Sequence, residues 1–235
     1  MLNQLFYCGK NLEDFGAYVV RQQLDNAPDR VYTDVNIPGR HGKFLRDDKR
    51  LSNVTVSYWI LIIDHGWDAY CDMKNWLLSE NGYQRIEDTF DPEHYRLGVY
   101  RGSTEPVFDR ERDLCKCVLK FDCLPQRWDK GGEELRATTS GKLLVNPYLT
   151  VAKPLIRVSG TGTLRVSDVV ITINSQPTAG FIDIDCDIED AFSGSTNCNN
   201  YISLGTDFPV LNPGENAVIF SGLTSVQIAP RWWTV

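Results

Sequence analysis

The chain has 235 residues, 42% of them hydrophobic, with a formal net charge of −7 and a pI near 5.0. That supplies enough apolar material for one large core or two of roughly a hundred residues each, and the acidic balance excludes a sequence-independent grip on nucleic acid, which needs clustered Lys and Arg to displace counterions. No basic and apolar leader follows Met1, and the longest apolar run falls far short of the roughly twenty residues that span a bilayer, so the chain reads as soluble, with no membrane partner. Seven cysteines at irregular spacing are a poor disulfide framework and suit a reducing compartment.

In chain order, Leu5–Cys8 and Ala17–Arg21 read as strands joined across Gly9–Gly16 in a hairpin-like opening. Asp14-Phe15-Gly16 spells a kinase metal-binding triplet, but no Gly-rich loop, strand lysine or catalytic loop accompanies it. Pro38 and Gly39 mark a tight turn inside Val35–Gly42, where Arg40 and His41 lie, and a charged segment Arg46–Arg50 follows. The run Leu51–Ile63 then changes period. Asn53, Thr55 and Ser57 alternate with Val54, Val56 and Tyr58, whereas from Tyr58 to Ile63 both faces are apolar. At about 3.3 Å per residue the run would span roughly 40 Å, so one end is expected to leave its sheet and be covered by a core layer or a neighbouring subunit. Tyr58, Trp59, Ile60, Leu61, Ile62, Ile63 and Arg40 are therefore the interface candidates.

Beyond Ile63 the period becomes helical, with Tyr70, Met73, Trp76 and Leu77 on one stripe, Asp68 in the first turn and Asn81-Gly82 as the stop, predicting a helix over Trp67–Glu80. Arg85–His94 reads as a polar loop, and Tyr95–Tyr100 and Leu114–Cys123 as strands. In the latter, Cys115, Cys117, Leu119, Phe121 and Cys123 share one face; Cys-x-Cys spacing without a His pair points to core thiols rather than zinc. Pro125–Glu134 has the composition of a linker. The expected organisation is thus a first domain over residues 1–130, a linker over 131–146 and a second domain over 147–235 built of short strands, an antiparallel β-sandwich of the galectin-like or jelly-roll-like kind. The fold class is mainly β with one helix.

Phe181–Glu189 places Asp183, Asp185, Asp187 and Glu189 on one face of a strand, and such a row of like charges must be in water, opposite cations or on a metal. A solvated face is expected, with a calcium site as the alternative, completed by a loop such as Ser193–Asn197. Hydrolysis of a glycan would need two carboxyl groups facing each other across a cleft, which one strand does not supply. No nucleophile elbow, zinc-protease helix or phosphate loop is present, so neither catalytic residues nor a cofactor is expected. Tyr148, Tyr201, Trp232 and Trp233 leave open a second function class, a carbohydrate-binding module or host-surface adhesion protein that stacks sugars on aromatic rings.

The order of Asp14-Phe-Gly16, Ile37-Pro-Gly-Arg-His-Gly42 before a long strand, one helix, Phe121-Asp-Cys-Leu-Pro125, Asn146-Pro147 and Phe208-Pro-Val-Leu-Asn-Pro-Gly-Glu-Asn216 resembles the distal tail proteins of long-tailed, non-contractile bacteriophages over essentially the whole chain. The resemblance implies a structural virion protein of the tail tip, assembled in the host cytoplasm: a ring of six made by the first domain, joining tail tube to baseplate, tip or receptor-binding proteins and leaving a channel for DNA, with the second domain projecting outward. It implies no enzymatic activity, and net negative charge suits a conduit that must not hold DNA.

Overall fold

The computed structural model describes residues 3–22, 27–63, 65–102 and 104–235. They form two compact units, Met1–Arg127 with Val235, and Trp128–Thr234.

In the first unit a sheet runs in the order β2 (Lys10–Asn11), β1 (Leu5–Tyr7), β7 (Gln84–Asp88), β8 (His94–Tyr100), β10 (Leu114–Asp129), β6 (Val54–Ile62), β3 (Ala17–Gln22), with β9 (Val107–Asp109) beside β10. An antiparallel bridge from Val19 to Asn3, just before β1, brings the ends together, so the sheet closes into a barrel. The closure corrects the hairpin expected at the start: β1 pairs with β7, and β3 pairs with β6. Between β1 and β3 the Asp14-Phe15-Gly16 triplet is turn chemistry. Asn11 and Asp14 form a capping box on a short 3-10 turn, and Gly16 ends it with φ 63°. Residues 85–88, expected in a loop, are strand: Ile86 is the one buried residue, and pairing to β1 and β8 holds its charged neighbours.

The inward face of β10 is as the alternation predicts, with Cys115, Cys117, Leu119, Phe121 and Cys123 all buried. Helix α1 (Gly66–Ser79) packs Tyr70, Met73, Trp76 and Leu77 into the same core, Trp76 stacking on Phe15 and meeting Tyr7 edge-on. Its N-cap residue, His65, gives no side-chain cap; instead Asp113, from the turn before β10, accepts hydrogen bonds from the His65 and Gly66 amides.

The long strand of the sequence reading is two strands. β6 covers nine residues, and Ser52-Asn53 separates it from β5 (Lys43–Leu51), which absorbs the charged Arg46–Arg50 segment. β5 pairs only with β4 (Arg30–Asn36), and the two form a separate two-stranded sheet, an arm turned by Pro38-Gly39.

The second unit is built of strands and turns, with short 3-10 helices at Lys130–Gly132 and Asn199–Tyr201. β13 (Leu155–Val166) and β19 (Gly214–Ala229) pair antiparallel along their length, and the register shifts twice between Ser159 and Thr163. There Gly162 adopts φ 154°, and a Cβ on it would lie 2.1 Å from the Ser221 carbonyl oxygen, so only glycine lets the strands cross so closely. On one side of the bulge the pair continues into β15 (Ile182–Asp185), β16 (Asp190–Ser193) and β17 (Thr196–Asn197), with β11 (Arg136–Ala137) beside β19. On the other it continues into β12 (Lys142–Asn146), β14 (Val169–Ile173) and β18 (Ile202–Leu204). β20 (Trp233–Thr234) ends the unit. Both halves enclose one core of Ile, Val and Leu, a sandwich made by two strands that serve both layers. Residues 131–146 are therefore not a linker, because β11 and β12 both pair with β19.

Candidate interaction surfaces

Alternation along β6 divides the interface candidates. Tyr58, Ile60 and Ile62 point into the barrel core and are at most 2% exposed, which withdraws them from any surface of the folded unit. Trp59 and Leu61 lie on the outer face, half-buried, and Ile63 is exposed at the strand end. The apolar run on two faces thus has a dual cause: a barrel core inside, and an outer stripe on which the Arg21 guanidinium lies 5.1 Å over the Trp59 ring. Arg40 is exposed in the turn of the arm.

Sequence reasoning missed the arm itself. Tyr32, Val35, Ile37, Phe44 and Leu45 are each at least 40% exposed on it, Val35 facing Phe44 across the strands. Ion pairs Arg30–Asp47 at 3.0 Å and Lys43–Asp34 at 2.5 Å cross between its strands, yet every one of these groups is itself solvent-exposed. Exposed pairs of this kind contribute about 0.2–1 kcal/mol, and an isolated two-stranded hairpin is at best marginally stable in water. Residues 30–51 hold six Lys or Arg against three Asp, a net +3 on a chain of net −7.

In the second unit the acidic row is not the wet face expected. The strand stops at Asp185, and Asp183 and Asp185 are both under 10% exposed. Asp183 accepts two hydrogen bonds from Arg157, at 2.6 and 2.8 Å, and the Arg157 guanidinium also lies over Phe181; Asp185 accepts two from Arg231, at 2.7 and 2.9 Å. Burial pushes the Asp185 carboxyl up, but the Arg231 hydrogen bonds, the Asp187 and Ile188 amides and the Arg231 charge outweigh it and hold the group below its usual value. Asp187 and Glu189 lie beyond the strand end and are exposed, Asp187 facing Lys153 at 3.6 Å. Guanidinium forks occupy the two buried carboxylates that a calcium site would have needed, and among the described residues no three metal-ligating side chains converge.

The aromatics of this unit are core or near-core. Trp232 is buried, Tyr148, Tyr201 and Trp233 pack against the same cluster, the Tyr148 hydroxyl donates to Asp129, and the Trp233 indole donates to the Val151 carbonyl. Asn146 and Asn216 fasten turns: the Asn216 amide, 1% exposed, accepts from the Asn212 amide and Ser167 hydroxyl and donates to the Leu144, Asn212 and Gly214 carbonyls.

These features define a two-unit, mainly β protein, a barrel with one helix and a projecting arm followed by a sandwich. No protein-family model and no curated protein sequence matches the chain. Among solved structures it shares its fold with the Dit (gp 19.1) protein of phage SPP1, described as a paradigm of the hub adsorption apparatus in phages infecting Gram-positive bacteria, at a TM-score of 0.77 with 15% identity over 100% of both chains. A chain of the phage P2 baseplate, in its activated conformation with Ca, aligns over 97% of both chains at a TM-score of 0.52 and 9% identity. The Sr form of that baseplate gives the same TM-score and identity.

Proposed function

We propose that this chain is a structural, non-enzymatic component of a phage tail tip, a hub of six copies closed into a ring that joins the tail tube to baseplate or tip proteins and leaves a channel for DNA. The observation that supports this reading is the arm: a two-stranded sheet with exposed apolar side chains and, among the described residues, no third strand has no core of its own, and a second copy of the chain would complete it. A head-to-tail contact between an arm and a different surface of the next copy generates a ring when the rotation closes. The fold shared with a hub protein and with a baseplate chain supports the same placement in the virion.

The second unit serves in this reading as an interaction module. Its two buried carboxylates are held by arginines, which leaves them unsuited to act as a general acid and nucleophile pair on a sugar. Light scattering on the full chain, alone and mixed with the tail-tube protein of the same phage, tests the assembly. The expected result is a species of six subunits, at the latest in the presence of the tube protein; a monomer under both conditions contradicts it.

A further inference from the structure

The barrel of the first unit holds a cavity of about 560 Å³ whose lining includes no residue of α1. A β-bulge builds its rim. Pairing between β3 and β6 runs Val19 with Ile60 and then Arg21 with Trp59, so Val20 is an extra residue. Without the bulge Arg21 would continue the inward alternation; with it, Arg21 comes to the outer side over the Trp59 ring, and Gln22, opposite Tyr58, turns into the mouth and donates to Asp88.

Within the mouth the two carboxylates are engaged. Asp88 accepts from the Tyr58 hydroxyl at 2.7 Å, from Gln22 at 3.1 Å and from the Phe90 and Asp91 amides; Asp91 accepts from His94 at 2.8 Å and from Arg127. Against these two acids the lining sets three arginines, Arg21, Arg96 and Arg127, on a chain that is acidic overall. Arg21 has no carboxylate partner among the described residues, and its guanidinium carbon lies 5.1 Å from the centroid of the Trp59 ring. Beside it, Val20 and Phe90 are exposed at 63% and 42%.

We infer that this barrel mouth is a docking site for an acidic segment of a second protein, a carboxylate side chain pairing with the Arg21 guanidinium while a flanking apolar side chain covers Val20 and Phe90. The cavity has the volume of a site for a few side chains rather than a folded domain, and a guanidinium without a carboxylate partner is suited to a two-pronged, charge-assisted bond to one. The inference does not depend on ring formation, because it is measured on the isolated full chain. Calorimetric titration with an acetylated and amidated Glu-Leu-Glu peptide should show saturable binding that weakens about tenfold in Arg21→Ala, the loss of one charge-assisted pair. The Gln-Leu-Gln counterpart should not bind. Arg21 is exposed, so the variant should melt with the wild type. Absence of saturable binding, equal binding of the Gln peptide or an unchanged affinity in Arg21→Ala would overturn the assignment. Inorganic phosphate binding as tightly as the Glu peptide would overturn it too, by marking a general anion patch.

Discussion

Asp185 and Asp187 stand two residues apart and carry the same charge, yet the structure gives them opposite weights. Asp185 is buried against the Arg231 fork, whereas Asp187 is exposed and faces Lys153. Removing one partner of a buried pair strands the other, at 3–5 kcal/mol when both are fully enclosed; Arg231 keeps some solvent contact, so Asp185→Asn should destabilise by about 2 kcal/mol. Asp187→Asn should stay within about 0.5 kcal/mol. Urea unfolding of the two variants measures the contrast, and equal stabilities would contradict the buried-pair reading. The folded Asp185 carboxyl titrates below its unfolded value, so its contribution is complete above about pH 4 and is lost as pH falls through the folded value. The difference between wild type and Asp185→Asn should therefore shrink on acidification and not on raising the pH. Thiol chemistry follows the same logic of burial. Cys117 and Cys186 are pushed up to about 12 by desolvation, and only Cys8 and Cys71 are half-buried rather than buried. Alkylation of the native chain should mark those two at most, with the other five reacting after unfolding; rapid native labelling of Cys115, Cys117 or Cys123 would show that they do not face the core.

Strands with an apolar alternation, such as β10, and the stripe of α1 were legible in the sequence because burial in one core dictates both patterns. β7 was not, since a single buried residue, Ile86, carries its apolar packing and the ladder to β1 and β8 does the rest. The arm escaped for the opposite reason: β4 and β5 bury almost nothing within the unit, so no periodicity marks them. β11 and β12 read as linker because their residues are mostly exposed and only backbone pairing to β19 makes them strands. In the acidic row the alternation holds only as far as Asp185, where the strand stops, and the cations opposite it come from Arg157 and Arg231, the latter 46 residues away in sequence from its partner Asp185, which spacing along one strand cannot reveal. Within β8, Gly98 marks a close approach of another kind: a Cβ there would lie 2.6 Å from both the Cys123 sulfur and the Ile86 side chain. Gly98→Ala should overpack the barrel and cost about 1–3 kcal/mol by denaturant midpoint, and no loss would mean that the core is looser than described.

For the whole molecule, two separate apolar clusters stand behind the two units, one around Tyr7, Tyr58 and Phe121 and the other around Ile156, Leu164 and Ile184. Calorimetric unfolding should therefore resolve two transitions, with Gly98→Ala lowering one and Asp185→Asn the other; both substitutions lowering the same transition would contradict separate cores. Self-association, in contrast, belongs in the proposed function to the arm of the first unit. The most direct measurement is electron microscopy of the full chain mixed with the proposed partner, the tail-tube protein of the same phage, comparing wild type with the double substitution Phe44→Glu and Leu45→Glu, two exposed arm residues whose change leaves both cores intact. Closed six-fold rings for wild type, and none for the doubly substituted chain at unchanged melting temperature, are the predicted result; rings that persist without an apolar arm, or a wild-type chain bound as single copies, would contradict it.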